Sequence, residues 1–91
     1  MVKLERQKLK KLLGWAYNKK TRSISVTFLC KDFLGVVRLI GKIARLAEKA
    51  DHHPNLHLTR YRRLKVVLST HSEGKVTAKD LALAGKINKL R

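Results

Sequence analysis

SISVTFLC, residues 23–30, runs directly into KDFLGVVRLIGKIARLAEKAD, residues 31–51. In the first segment Ile24, Val26 and Phe28 fall on one side, and Ser23, Ser25 and Thr27 on the other. A period of two predicts a half-buried strand. In the second, Asp32 is suited to cap a helix N-terminus, and the helix should run to about Asp51. Arg38, Lys42, Arg45 and Lys49 step along one polar stripe. Phe33, Val36, Val37, Ile40, Ala44 and Ala47 form the opposite apolar stripe, widened by Leu39, Ile43 and Leu46. So broad an apolar surface implies packing on a sheet and on something more, either a neighbouring helix or a second subunit.

Working outward, Leu4, Leu9, Leu12 and Leu13 give a basic amphipathic helix over residues 4–13, with Gly14 as its stop. Trp15 opens a short extended piece, and Asn18-Lys19-Lys20 suits a turn. Downstream, Pro54 ends the helical region. Two strands are expected over 55–61 and 64–70, with Arg62-Arg63 near their turn and Leu64, Val66 and Leu68 on one face. His71 should leave the second strand on the face away from that row. Glu73-Gly74-Lys75 is a turn. Thr77-Ala78-Lys79-Asp80 resembles a capping box that opens a last helix to about Leu90, with Leu81, Leu83, Ala84 and Ile87 inward. The order α-β-β-α-β-β-α predicts an α+β two-layer sandwich: a four-stranded antiparallel sheet with helices on one face.

The 91 residues make one domain, 1–91, whose small core makes oligomerisation a useful source of further burial. Cys30 is the only cysteine, so an internal disulfide is excluded; it reads as a small core residue. No stretch approaches the ~20 apolar residues of a membrane span, and the N-terminus lacks the pattern of a signal peptide. The expectation is a soluble, cytoplasmic protein with no membrane partner.

The formal net charge is +16. Residues 1–22 carry eight Lys/Arg against Glu5, and residues 52–91 carry nine against Glu73 and Asp80, so the excess occupies both ends. Heat adaptation raises Lys and Glu together, whereas only three Glu are present here. Attraction to polyanions follows, including non-specific nucleic acid through the basic surface. Aromatics at 5% leave few platforms for stacking bases, and no groove-reading motif is present.

All four histidines lie between positions 52 and 71, and His52, His53 and His57 fall beside Asp51. Imidazole exchanges protons near neutral pH, so such a cluster suits acid/base work. A metal site or simply solvated histidines would give the same cluster. Adjacent His52 and His53 point in different directions in most backbones, which disfavours a single metal.

Glu48, His52-His53-Pro54, Tyr61, His71 and Asp80 are spaced by four, seven, ten and nine residues, counting from Glu48 to His52 and onward from Pro54. Together with Gly14-Trp15, Phe28, Phe33 and Leu68-Ser69-Thr70-His71, this pattern resembles the pterin-4a-carbinolamine dehydratase family over nearly the whole chain. The resemblance implies dehydration of a 4a-hydroxytetrahydropterin to quinonoid dihydropterin, as in tetrahydrobiopterin recycling, without metal or organic cofactor. It also implies His52 and His71 as the acid/base pair, and His53 as a residue that positions the pterin or shares the proton work. Asp51, Ser69 and Thr70 match ring-contacting positions. Glu48, Pro54, Tyr61 and Asp80 are supporting residues: Asp80 reads equally as a helix cap, Glu48 as a helix-end residue, and Tyr61 as packing or pocket wall. Relatives form dimers or tetramers, and animal members act as dimerisation cofactors of a homeodomain transcription factor. A nucleic-acid-binding or protein-binding module on the same fold is therefore the alternative. Many relatives have Trp where this chain has Leu56, a change expected to loosen the pocket.

Overall fold

The computed structural model describes residues 3–12 and 14–90, with side chains from Gln7 onward. It contains α1 (Lys3–Lys10), β1 (Ala16–Asn18), β2 (Ser23–Leu29), α2 (Phe33–Ala50), β3 (Asn55–Thr59), β4 (Arg63–Leu68), a 3₁₀ turn (His71–Glu73) and α3 (Ala78–Asn88). The strands pair antiparallel in the order β1-β2-β4-β3. This is the expected α+β sandwich. Leu13, expected to end the first helix, lies outside the described residues, and α1 closes at Lys10.

The two-residue period decides the layers. Ile24, Val26 and Phe28 of β2 pair with Leu68, Val66 and Leu64 of β4, and all six are buried on one sheet face. Helices cover that face through Val36 and Ile43 of α2 and Leu81, Leu83, Ala84 and Ile87 of α3, joined in one core. Alternation puts Ser25, Thr27, Arg63, Lys65 and Val67 on the opposite face, which no helix among the described residues covers. The Trp15 indole N–H donates to Asn88 Oδ1 at 2.9 Å, tying the segment before β1 to the last turn of α3.

Two details differ from expectation. The buried row of α2 is Val36, Ile43 and Ala47, flanked by half-buried Leu39, Ile40 and Leu46, whereas Phe33, Val37 and Ala44 are exposed. The helix packs against α3, and Phe33, Leu34 and Val37 at its start, with Leu29 at the end of β2, stay exposed as apolar surface. The strand expected over 55–61 stops at Thr59, because Arg60 and Tyr61 both adopt positive φ (48° and 54°) and make the turn themselves. Such a turn normally announces itself with Asn or Gly. Arg-Tyr carries no such signal, although Arg62 closes the turn and Arg63 opens the next strand, so the turn lies beside Arg62-Arg63 as expected.

Candidate active site

Asp32 caps α2 as expected, its Oδ1 accepting the Gly35 N–H at 2.7 Å. At the other end Asp51 takes the left-handed conformation (φ 50°, ψ 43°), and its N–H and that of His52 donate to the carbonyls of Glu48 and Ala47. A left-handed residue after a helix turns the chain sharply and satisfies trailing carbonyls. Pro54 holds the residue before it extended. His52 and His53 therefore leave α2 on different paths.

His52 turns inward. Its Nε2 lies 2.5 Å from Oδ1 of Asp80, with side chains 13% and 0% exposed. Asp80 sits in the first turn of α3, where its Oδ2 accepts the Thr77 N–H at 2.9 Å and the Thr70 hydroxyl at 2.8 Å. Since the Thr70 hydroxyl is spent on Asp80, the Thr77 hydroxyl donates to Thr70 Oγ1 at 2.7 Å. Among the described residues no buried side-chain nitrogen or oxygen lacks a partner. The carboxylate thus accepts from three donors at the positive end of a helix dipole. An acceptor-only partner requires His52 Nε2 to carry hydrogen, which leaves Nδ1 as the nitrogen free to act when the ring is neutral. Asp80 is both the expected helix cap and the group that fixes the tautomer of His52.

His53 turns outward. Its Nε2 meets Glu48 Oε2 with side chains 57% and 76% exposed, so Glu48 pairs with an imidazole across five residues.

His71 opens the 3₁₀ turn that follows β4. Thr70 and Lys75 bridge that loop with reciprocal backbone bonds, and Gly74 (φ 62°) supplies its left-handed residue. A cavity of about 400 Å³ lies over the uncovered sheet face, lined by Ser69, His71, Ser25, Asn55, Lys65 and Asn18 among others. Its size lies within the range of small-molecule sites. Another, of about 470 Å³, lies between β2 and α2 around Cys30, Arg38 and Lys42; of the pattern residues Phe28 lines it, and none of the histidines or acidic residues does.

The expected residues thus form three groups. His52, Thr70 and Asp80 are hydrogen-bonded together; Ser69 and His71 share the cavity; His53 and Glu48 pair at the surface. Asp51 is exposed and shapes the backbone. Pro54 is half-buried between the second histidine and β3. Tyr61 is a different case from the pocket wall expected: it is 60% exposed at the β3–β4 turn, with the Arg62 guanidinium 6.0 Å from its ring centroid. Leu56 pairs with Val66 and packs on the core face, away from the cavity, so the missing Trp bears on the core rather than on the pocket. Asn18, Ser25, Asn55 and Lys65 were not singled out by motif, although strand alternation already put Ser25 and Lys65 on the uncovered face.

A small α+β sandwich that gathers imidazoles, a buried carboxylate and hydroxyls around one end of its second hairpin defines the class. Residues 2–90 match the family model of pterin 4 alpha carbinolamine dehydratase, and the chain belongs to that family. A Sulfolobus acidocaldarius protein provisionally named pterin-4-alpha-carbinolamine dehydratase is 42% identical over 99% of this chain and 100% of its own length. A Mycobacteroides abscessus protein of the same provisional name is 44% identical over 85% of this chain and 79% of its own. The crystal structure of a transcriptional coactivator/pterin dehydratase from Brucella melitensis superposes with a TM-score of 0.91 at 34% identity, covering 99% of this chain and 96% of that one. A pterin dehydratase-like RuBisCO assembly factor of the alpha-carboxysome shares the fold alone, with a TM-score of 0.71 at 17% identity.

Proposed function

We propose that the chain is a dehydratase converting a 4a-hydroxytetrahydropterin to quinonoid dihydropterin by imidazole acid/base catalysis. In that reaction the C4a–O bond breaks, N5 loses its proton, C4a=N5 forms and water leaves. The observation that carries the reading is the fixing of His52 by Asp80 next to the strand end that bears Ser69 and His71. With Nε2 committed to Asp80, His52 offers Nδ1 as the base for the N5 proton. His71, at the cavity, serves as the acid that protonates the departing hydroxyl, and His53 positions the pterin or shares the proton work. Ser69, Thr70 and Asp51 contact the ring system, Thr70 from a backbone and hydroxyl that also hold the loop and Asp80 in place.

Stopped-flow dehydration of a 4a-hydroxytetrahydropterin tests this. His52→Ala and His71→Ala should each lower kcat by about 10²–10⁴-fold, the usual worth of a positioned acid or base. No acceleration by the parent chain, or full activity in both variants, overturns it. Self-association through the patch of Leu29, Phe33, Leu34 and Val37 belongs to the same proposal, because monomers rarely leave large apolar patches open. Sedimentation should show a dimer or tetramer that Val37→Glu weakens.

A second reading rests on charge. Among the described residues no Lys or Arg lies within 4.0 Å of a carboxylate; both close acid–base pairs use histidine. Unpaired cations at this density attract nucleic acid without reading its sequence. Titration should give weak binding that vanishes near physiological salt. Binding that persists there would make nucleic acid a specific partner.

Among the described residues no helix is long and apolar enough to cross a membrane.

A further inference from the structure

The cavity over the uncovered sheet face is chemically one-sided. No carboxylate lines it, while Lys65 and His71 do, together with the hydroxyl of Ser25 and the amides of Asn18 and Asn55. Asn18 Oδ1 already accepts the Lys20 and Thr21 N–H groups at 2.9 and 3.2 Å, so its amide NH₂ is what remains to offer. Lys65 makes no ion pair with any described carboxylate. Nearly every polar group left for a ligand can therefore donate.

The groups are also ordered along the sheet. Lys65 and Val67 share one face of β4, and Ser69 follows directly after its end in the same alternation. Val67 is flanked by Ser25 on β2 and Asn55 on β3, and Lys65 by Thr27 and His57. Four residues of strand separate Ser69 from Lys65, roughly 13 Å at ~3.3 Å per residue. A ligand whose ring meets Ser69 and His71 can extend a short substituent over Val67, between Ser25 and Asn55, toward the Lys65 ammonium.

We propose that the pterin this site takes carries an anionic side chain at C6, a phosphomonoester, held by Lys65 with Ser25 and Asn55. The inference rests on the dehydratase reading for the ring and adds the identity of the substituent. Phosphate suits the donor set better than a neutral diol does: a charge-assisted bond from an ammonium is about twice as strong as a neutral one, and further oxygens remain for the hydroxyl and amide.

The test compares two 4a-hydroxytetrahydropterins that differ only in a phosphate on the C6 hydroxyalkyl chain, at 0.15 M salt to suppress long-range steering. The parent should favour the phosphorylated substrate by about tenfold in kcat/KM, mostly through KM, the worth of one good charge-assisted contact. Lys65→Met should bring that ratio to about one, and Lys65→Arg should retain most of it. Arg63→Met removes the same charge two residues along the same face, outside the cavity, and should leave the ratio near the parent's. Equal kcat/KM for both substrates in the parent overturns the proposal. So does an unchanged ratio in Lys65→Met, or a collapse as large in Arg63→Met, which would mark a diffuse field. Fluorescence titration with the corresponding stable 7,8-dihydropterins separates the two readings. Tighter binding of the phosphorylated form without any dehydration would sink the dehydratase reading and leave this one standing. Dehydration of both substrates at equal efficiency would do the reverse.

Discussion

His52 and His53 are neighbours in sequence and opposites in surroundings. Each meets a carboxylate through Nε2, yet the first pair is nearly sealed from water and the second lies open to it. Asp80 is itself held by the Thr70 hydroxyl and the Thr77 N–H, whereas Glu48 is an exposed side chain on the last turn of α2. An exposed ion pair contributes little to stability, because water screens it and both side chains give up freedom to form it. A buried one contributes more to geometry than to net energy, and breaking it is costly. One dipeptide thus supplies a ring of fixed tautomer and a ring held only by an exposed pair.

The sharpest way to break this contrast is Asp80→Ala. It strips the partner from a buried imidazole and leaves the Thr70 hydroxyl and the Thr77 N–H unanswered, so about 3–5 kcal/mol of stability should go. Urea unfolding measures it, and a loss below about 1 kcal/mol would mean the network is not holding α3 against the loop. Thr70→Val keeps the shape and removes a donor and an acceptor together. About 1–3 kcal/mol is expected, with dehydratase activity reduced because Asp80 loses a constraint. His53→Ala should move stability by no more than about 1 kcal/mol, the range of exposed pairs, while still lowering turnover. The smallest effect belongs to Glu48→Gln: within about 0.5 kcal/mol in stability, since it is a surface change away from any buried network. A larger loss in this variant than in Thr70→Val would erase the contrast.

Much of the fold was legible because local rules and global packing agree. The alternation at Ile24, Val26 and Phe28 assigned the sheet faces, Asp32 marked the start of α2, and Thr77 with Asp80 marked the start of α3. Where they parted, a long-range contact or a special turn was responsible. The pairing of α2 with α3 decides that Ile43 and Ala47 are buried and Phe33 is not, and no period within α2 carries that information. The turn at Arg60-Tyr61 requires two left-handed residues that neither side chain advertises. For the candidate site, the spacing from Glu48 to Asp80 picked out candidate residues but not their partners. Twenty-eight residues separate His52 from Asp80. Only the docking of α3 against α2 and the loop after β4 makes them neighbours, and the same docking lets the carboxylate that caps α3 also hold the His52 ring.

That docking has a consequence for biosynthesis. All four histidines precede α3 in the chain, but the carboxylate that orients one of them arrives with the last helix, as does the Asn88 oxygen that receives the Trp15 indole. During translation the sheet and α2 can emerge and associate while the imidazole still lacks its anchor. Asp80 reaches the His52 ring only once α3 has formed and closed on them. A nascent chain halted before α3 therefore lacks both long-range anchors, the carboxylate for His52 and the amide oxygen for Trp15.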